Sequence, residues 1–180
     1  MPITSFPAMA RCLRWRNNFV MKILIFTEGT ILMHKNAVGH ERVSIVKQVL
    51  NKIASVTDYA GYVPIGNAVE KIQKWQEQGN EIIYLTSRRT DKQVNDIRSV
   101  LRKYNFPAGV LEHRKNGEEY KDVAERVMPD VLIEDDCESI GGEKEMAYPR
   151  VKAEIKTKIK SVVVKEFGGV DHLPYFIQIN

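Results

Sequence analysis

Short apolar runs alternate along the chain with segments in which apolar residues recur at helical spacing. Continuous apolar runs are typical of strands covered on both faces, and five occur, at Ile23–Phe26, Ile82–Leu85, Val110–Leu111, Val131–Ile133 and Ser161–Val164. Helical stripes lie at residues 40–53, 69–75, 94–104 and 120–127. The first of them consists of Val43, Val46, Val49, Leu50 and Ile53. Such alternation predicts an α/β fold, a three-layer doubly wound and mostly parallel sheet with helices on both faces.

Local signals place several element ends. Gly79 suits the position just after the helix that carries Trp75, since glycine adopts the left-handed conformation found there. Thr90 followed by Gln93 predicts a capped helix start, and Pro107 ends that helix. These signals favour helices that fill the intervals between the predicted strands.

Size and composition indicate one ordinary domain. The 180 residues are 43% hydrophobic and 28% charged, and no apolar run approaches the length of a membrane span. Two cysteines, Cys12 and Cys137, form no disulfide framework. We therefore expect a cytoplasmic protein with no membrane partner.

The charge of the chain is concentrated at its beginning. The net charge is +4, but residues 1–20 hold three arginines and no acid. Residues 21–180 thus carry 24 basic and 23 acidic side chains, a balance that disfavours a nucleic-acid partner. Residues 1–20 also show no helical or strand period. We interpret them as a disordered arm or a misassigned start, and residues 21–180 as a single domain.

Polar residues follow three of the predicted strands. Residues 27–30 (Thr-Glu-Gly-Thr) follow the first strand, residues 86–89 (Thr-Ser-Arg-Arg) the second, and residues 134–136 (Glu-Asp-Asp) the fourth. Lys121 precedes the fourth strand. The carboxyl ends of parallel strands share one edge of a sheet, where ligands bind. Carboxylates are ligands for Mg²⁺, amides and hydroxyls hold phosphate oxygens, and a lysine balances their charge.

This order of residues resembles the haloacid dehalogenase-like (HAD-like) superfamily over roughly residues 21–165. The first motif of that family reads Asp-x-Asp-Gly-Thr after the first strand. Anchoring it on Gly29 and Thr30 places Glu28 at the second acid and Phe26 at the nucleophile. A shifted register with Glu28 as nucleophile would leave the Gly-Thr pair without its place, and it is the minority alternative.

The resemblance implies roles for the other strand-end residues. Thr86 matches the residue that binds the transferred phosphoryl group, and Asp135 the magnesium aspartate. Lys121 is the better match to the motif lysine, with Lys115 as the rival. In full, the implied residues are catalytic Glu28, Lys121 and Asp135, phosphate-binding Thr86, Ser87, Gly29, Thr30 and Arg88, and Mg²⁺-binding Asp135 and Asp136.

Phe26 separates two functional hypotheses. In the family the first aspartate attacks phosphorus, which an aromatic ring cannot do. One hypothesis is a phosphohydrolase with an altered site, which hydrolyses phosphate monoesters with Mg²⁺. The alternative is an inactive member of the superfamily that binds a phosphorylated ligand or a protein partner.

Two further features leave alternatives open. Residues 31–62, where family members insert a cap domain, are predicted to hold one helix and loops. Such a minimal cap implies an open site, and its ligand is then a phosphorylated small molecule or a larger phosphate ester. Alternatively, a second subunit of a homo-oligomer supplies the cap. Arg88, Arg89, Arg114 and Lys115 form either a basic rim for an anion or ordinary surface charge.

Overall fold

The computed structural model describes residues 20–177. The prediction for residues 1–20 therefore lies, apart from Val20, outside the described residues. The strands are β1 (Lys22–Phe26), β2 (Leu32–Met33), β3 (Val63–Pro64), β4 (Glu81–Thr86), β5 (Val110–His113), β6 (Val131–Asp135) and β7 (Lys160–Val164). The α-helices are α1 (Arg42–Leu50), α2 (Ala54–Thr57), α3 (Ala68–Glu77), α4 (Asp91–Lys103), α5 (Tyr120–Val127) and α6 (Ala153–Lys156).

A five-stranded parallel sheet forms the centre of the molecule. Its strand order is β5-β4-β1-β6-β7, so β1 lies in the middle and the chain extends the sheet first on one side and then on the other. The order reverses at β1, and in sheets of this kind ligands bind at that point, outside the carboxyl ends of the strands. The predicted doubly wound α/β fold is confirmed.

Helices cover both faces of this sheet. One face packs Ile23 and Ile25 of β1 against α3 and α4, whose buried residues include Ile72, Trp75 and Ile97. The opposite face packs Leu24 and Phe26 against α5 through Val123, Ala124 and Val127. Because successive side chains of β1 point to opposite faces, the apolar run of this strand supplies both layers.

A small insert connects β1 to α3. The antiparallel strands β2 and β3 bracket α1, α2 and a 3₁₀ turn at Tyr59–Gly61, so the segment holds two short helices where one was predicted. The apolar stripe predicted for α1 does not match the face that the helix buries. Val43 and Leu50 are exposed, and Ile45 is the buried residue of the helix.

The remaining predicted elements are present with small shifts at their ends. Thr90 caps α4 by accepting a hydrogen bond from the amide of Gln93. No helix among residues 20–177 is both long enough and apolar enough to cross a membrane.

Candidate functional site

Glu28 is the centre of a compact polar cluster where β1 and β4 end. Its carboxylate accepts hydrogen bonds from the hydroxyls of Thr86 (2.6 Å) and Thr27 (2.7 Å) and from the amide of Ser87 (3.0 Å). The Nε of Arg88 lies 3.4 Å from Glu28 Oε1. Parallel pairing of Phe26 with Leu85 aligns the two strand ends and brings these groups together. We call Glu28, Thr86, Ser87 and Arg88 the Glu28 cluster.

Further contacts fix the cluster. The Arg88 amide donates to the Thr86 hydroxyl at 3.2 Å, and the Arg88 side chain donates to the Ser87 hydroxyl through Nε at 2.9 Å. Burial alone would lower the pKa of Arg88, but the nearby Glu28 carboxylate helps to raise it above its usual range. The cluster therefore contains an ion pair in which each partner is also hydrogen-bonded to other groups.

The Phe26 ring is buried in the core layer under α5. The side chain is buried among the residues of the α5 layer, and its ring meets the Tyr120 ring edge-to-face at 5.1 Å. The position that the resemblance assigns to the nucleophile is thus filled by an aromatic ring packed under α5. Such a ring supplies neither an oxygen for attack on phosphorus nor a ligand for a cation.

Gly29 and Thr30 contact the end of β6. The Thr30 hydroxyl donates to Asp135 Oδ2 at 2.8 Å, and the Cys137 amide donates to Asp135 Oδ1 at 3.0 Å. Gly29 has φ +83°, and a Cβ at this position would lie 2.7 Å from Asp135 Oδ2. Both the positive φ and the close approach of the carboxylate require glycine here. Burial raises the pKa of Asp135.

Asp136 points to a different set of partners. Its carboxylate accepts from the Glu166 amide at 3.0 Å and pairs with Lys165 at 3.0 Å and Arg42 at 3.3 Å. Burial acts to raise the pKa of Asp136, but these neighbours outweigh it and hold the pKa below its usual range. Buried Glu166 accepts from the amide and hydroxyl of Ser139 at 2.6 and 2.5 Å.

The resemblance implies Mg²⁺, and an acidic cluster is present. One carboxylate oxygen from each of Asp135, Asp136 and Glu166 lies within 4.8 Å of the others. Each of the three already accepts hydrogen bonds from protein groups, and Asp136 has two cationic partners. Phe26 supplies no oxygen at the position of the first motif. The acidic cluster is therefore present, but position 26 lacks the first-motif ligand of the family's magnesium site.

The structure places Lys121 away from these groups. Its ammonium lies 3.6 Å from carboxylate oxygens of both Glu119 and Asp122, at the start of α5. Among residues 20–177, no hydrogen bond or ion pair joins Lys121 to Glu28, Thr86 or Asp135. The rival Lys115 is exposed, and its amide donates to Glu118 at 2.8 Å. Neither lysine contacts the Glu28 cluster, so their proposed role stays a prediction from motif order.

Arg114 is the cation that does reach the cluster. Its guanidinium carbon lies 3.8 Å from the centre of the Tyr120 ring, and Nη2 lies 3.5 Å from the Ser87 carbonyl oxygen. The guanidinium of Arg88 likewise lies 4.4 Å from the ring centre of Tyr59 in the insert. We call Arg88 and Arg114 the arginine pair. Both members converge on Ser87, which accepts from Arg88 through its hydroxyl and from Arg114 through its carbonyl.

Comparison with known proteins supports the fold. The model of the LNS2 domain of PITM 1-3 matches residues 54–129, less than half of the chain, and leaves out the ends of β1 and β6. No curated protein matches. The class C acid phosphatase from Bacillus anthracis is 13% identical over 83% of this chain and 69% of its own, with a TM-score of 0.52.

The chain shares the α/β fold of this acid phosphatase. The same acid phosphatase with tungstate bound aligns with a TM-score of 0.51, again at 13% identity and with the same coverage. A chain of the Pnkp1/Rnl/Hen1 complex aligns with a TM-score of 0.49 at 11% identity over 82% of this chain. The present chain spans about half of that longer one (47%).

Two residues at the ends of β5 and β7 were not assigned to the site from sequence: Glu166 was not considered, and Arg114 was named only as part of a basic rim or as ordinary surface charge. Arg114 directly follows β5, and Glu166 comes two residues after β7. Both lie at the carboxyl ends of parallel strands, where ligands bind in such sheets. Applying the strand-end rule to all five strands, rather than to three, would have found them. The contribution of Tyr59 had no such signal, because it depends on how the insert folds back onto Arg88.

Proposed function

We propose that this chain is a HAD-like phosphatase-type domain that binds a phosphorylated ligand and lacks aspartyl-phosphate chemistry. The ligand is a phosphorylated small molecule or a larger phosphate ester. The fold of an acid phosphatase and the LNS2 match support the phosphatase-type domain. The polar groups at the ends of β1 and β4, with two arginines beside them, support binding of an anion.

The packing at position 26 is the main support for the proposed loss of aspartyl-phosphate chemistry. The Phe26 ring is packed against Tyr120, and the Glu28 carboxylate is held by Thr86 and Ser87. A covalent phosphoryl-enzyme needs a carboxylate at the position of Phe26. Glu28 is not free to replace it. Its carboxylate already accepts hydrogen bonds from Thr27, Thr86 and Ser87, and it forms an ion pair with Arg88.

Binding without turnover is the test of this function. We expect inorganic phosphate or an aryl phosphate to raise the thermal unfolding temperature in a concentration-dependent way, since a ligand that binds only the folded state stabilises it. We also expect no release of phosphate from a broad panel of phosphate esters, with or without Mg²⁺. Catalysed hydrolysis by the wild-type protein, or the absence of stabilisation by every phosphate compound, would contradict the proposal.

Hydrolysis with Mg²⁺ is the second candidate function. The observation that favours it is the acidic cluster of Asp135, Asp136 and Glu166 beside Thr30. It requires phosphate release that depends on added Mg²⁺ and disappears in Asp135→Asn. An Arg102→Gln variant, altered at an exposed side chain near the end of α4, is the control and should keep any such activity.

A further inference from the structure

The groups that match the phosphoryl cradle of the family are engaged by the protein itself. Within the Glu28 cluster, the Thr86 hydroxyl and the Ser87 amide both donate to the Glu28 carboxylate, at 2.6 and 3.0 Å. A carboxylate and a phosphate oxygen make the same kind of charge-assisted hydrogen bond to such donors. Glu28 therefore occupies the anion position of this cradle, and a ligand phosphate that bound there would have to displace it.

The two arginines next to this position differ in their ion pairing. Arg88 has Glu28 beside it, at 3.4 Å. Among the residues that the structure describes, no carboxylate lies within ion-pair distance of Arg114. The Arg114 guanidinium offers five N–H donors, yet its one hydrogen bond, to the Ser87 carbonyl, is 3.5 Å long, and its Nε is buried with no partner.

The pKa values of the two arginines are shifted in opposite directions. Burial lowers the pKa of Arg114, and the charges of Arg89 and Arg88 lower it further against the opposing effects of Tyr120 and Glu145, whereas Glu28 helps to raise the pKa of Arg88. Of the two guanidinium groups at Ser87, the Arg88 group has a carboxylate within ion-pair distance, and among residues 20–177 the Arg114 group has none. The guanidinium groups of Arg114 and Arg88 lie over the rings of Tyr120 and Tyr59, and these contacts limit their freedom to turn toward other acids.

We propose that the arginine pair is the ligand-binding site for the phosphate, with Arg114 as its main contact, and that this phosphate binds beside Glu28 without a metal ion. The inference rests on the proposed function and makes it more specific. The ligand class is a phosphate monoester dianion, recognised by two guanidinium groups held on tyrosine faces. Guanidinium matches the geometry of phosphate oxygens and needs no cation to balance the charge.

Titration calorimetry with inorganic phosphate and with phenyl phosphate, in the presence of EDTA, tests this proposal on the full chain. We expect wild-type protein to bind both compounds. Arg114→Gln should weaken binding tenfold or more, because it removes charge-assisted hydrogen bonds. Arg102→Gln makes the same substitution at an exposed position near the end of α4 and should change affinity less than twofold. Glu28→Gln should strengthen binding, since it removes the negative charge next to the pair.

The outcomes separate this inference from the proposed function. If wild type binds phosphate and Arg114→Gln binds as well as Arg102→Gln, the arginine site is wrong and the proposed function stands. If wild type binds neither compound, both fail. If Arg114→Gln does not fold, Arg114→Lys replaces it in the test. This variant keeps the positive charge but loses the planar guanidinium group. A phosphate affinity of Arg114→Lys equal to that of wild type would overturn the proposal. Binding that is lost in EDTA would also overturn it.

Discussion

Replacing Phe26 by aspartate restores the residue that the HAD-like family places at the end of its first strand. If the chain lacked only a nucleophile, the substitution would create a phosphatase. The structure predicts a different outcome. The ring is 9% exposed and packs within the α5 layer, edge-to-face with Tyr120 at 5.1 Å. The new carboxylate would replace apolar surface in a buried position.

The cost follows from that environment. Removing a buried phenylalanine side chain costs about 3–5 kcal/mol, which includes the cavity that remains. Burying a carboxylate without partners adds to this cost, unless the group becomes protonated. We therefore expect Phe26→Asp to lose about 4 kcal/mol or more of unfolding free energy, a large share of the total for a small domain.

Urea unfolding followed by circular dichroism measures this loss, and an aryl phosphate assay with Mg²⁺ measures any gained activity. Phe26→Leu is the control, since it keeps an apolar side chain and should cost about 1–2 kcal/mol. We expect no hydrolysis from either variant. A Phe26→Asp protein that is as stable as Phe26→Leu and hydrolyses phosphate esters would refute the reasoning, because position 26 would then face an open site.

Two further predictions concern the elements around the site. Thr30→Val removes a buried donor to Asp135 and should cost about 1–3 kcal/mol in urea unfolding, whereas the exposed Thr57→Val should cost less than about 0.5 kcal/mol. Asp122 accepts from the Glu119 amide at 2.8 Å, and this bond is the main cause that lowers its pKa. Asp122→Ala should therefore destabilise the protein by about 1 kcal/mol at pH 7, with the difference from wild type shrinking as the pH falls through the lowered pKa and Asp122 is protonated. A difference that is the same at pH 7 and pH 3 would contradict this.

The sheet and its helices were predictable because their signals are local and strong. Apolar runs such as Ile23–Phe26 bury both faces of a central strand, and few other structures accommodate them. The insert was less predictable. Strands β2 and β3 have two residues each, too short for any period, and α1 leaves Val43 and Leu50 of its predicted stripe exposed. A helix that lies at the margin of a domain is positioned by few core contacts, so its apolar pattern says little about its buried face.

The candidate site was predictable as far as strand ends determine it. The motif order predicted that these strand-end residues lie at one edge of the sheet. In the structure Thr86 is hydrogen-bonded to Glu28, and Thr30 to Asp135. The direction of individual side chains was not predictable. Lys121 was chosen from its place in the motif order, yet its ammonium pairs within the first turn of α5, where Glu119 and Asp122 are the nearest acids.

A crystal structure of the protein with tungstate bound tests the account most directly, because the position of a heavy phosphate analogue is unambiguous. We expect the anion to lie against the guanidinium groups of Arg88 and Arg114, with the Glu28 carboxylate still hydrogen-bonded to Thr86. Tungstate bound between the Thr86 hydroxyl and the Ser87 amide, with Glu28 displaced, would contradict the account. So would a site with no anion at the carboxyl ends of β1 and β4.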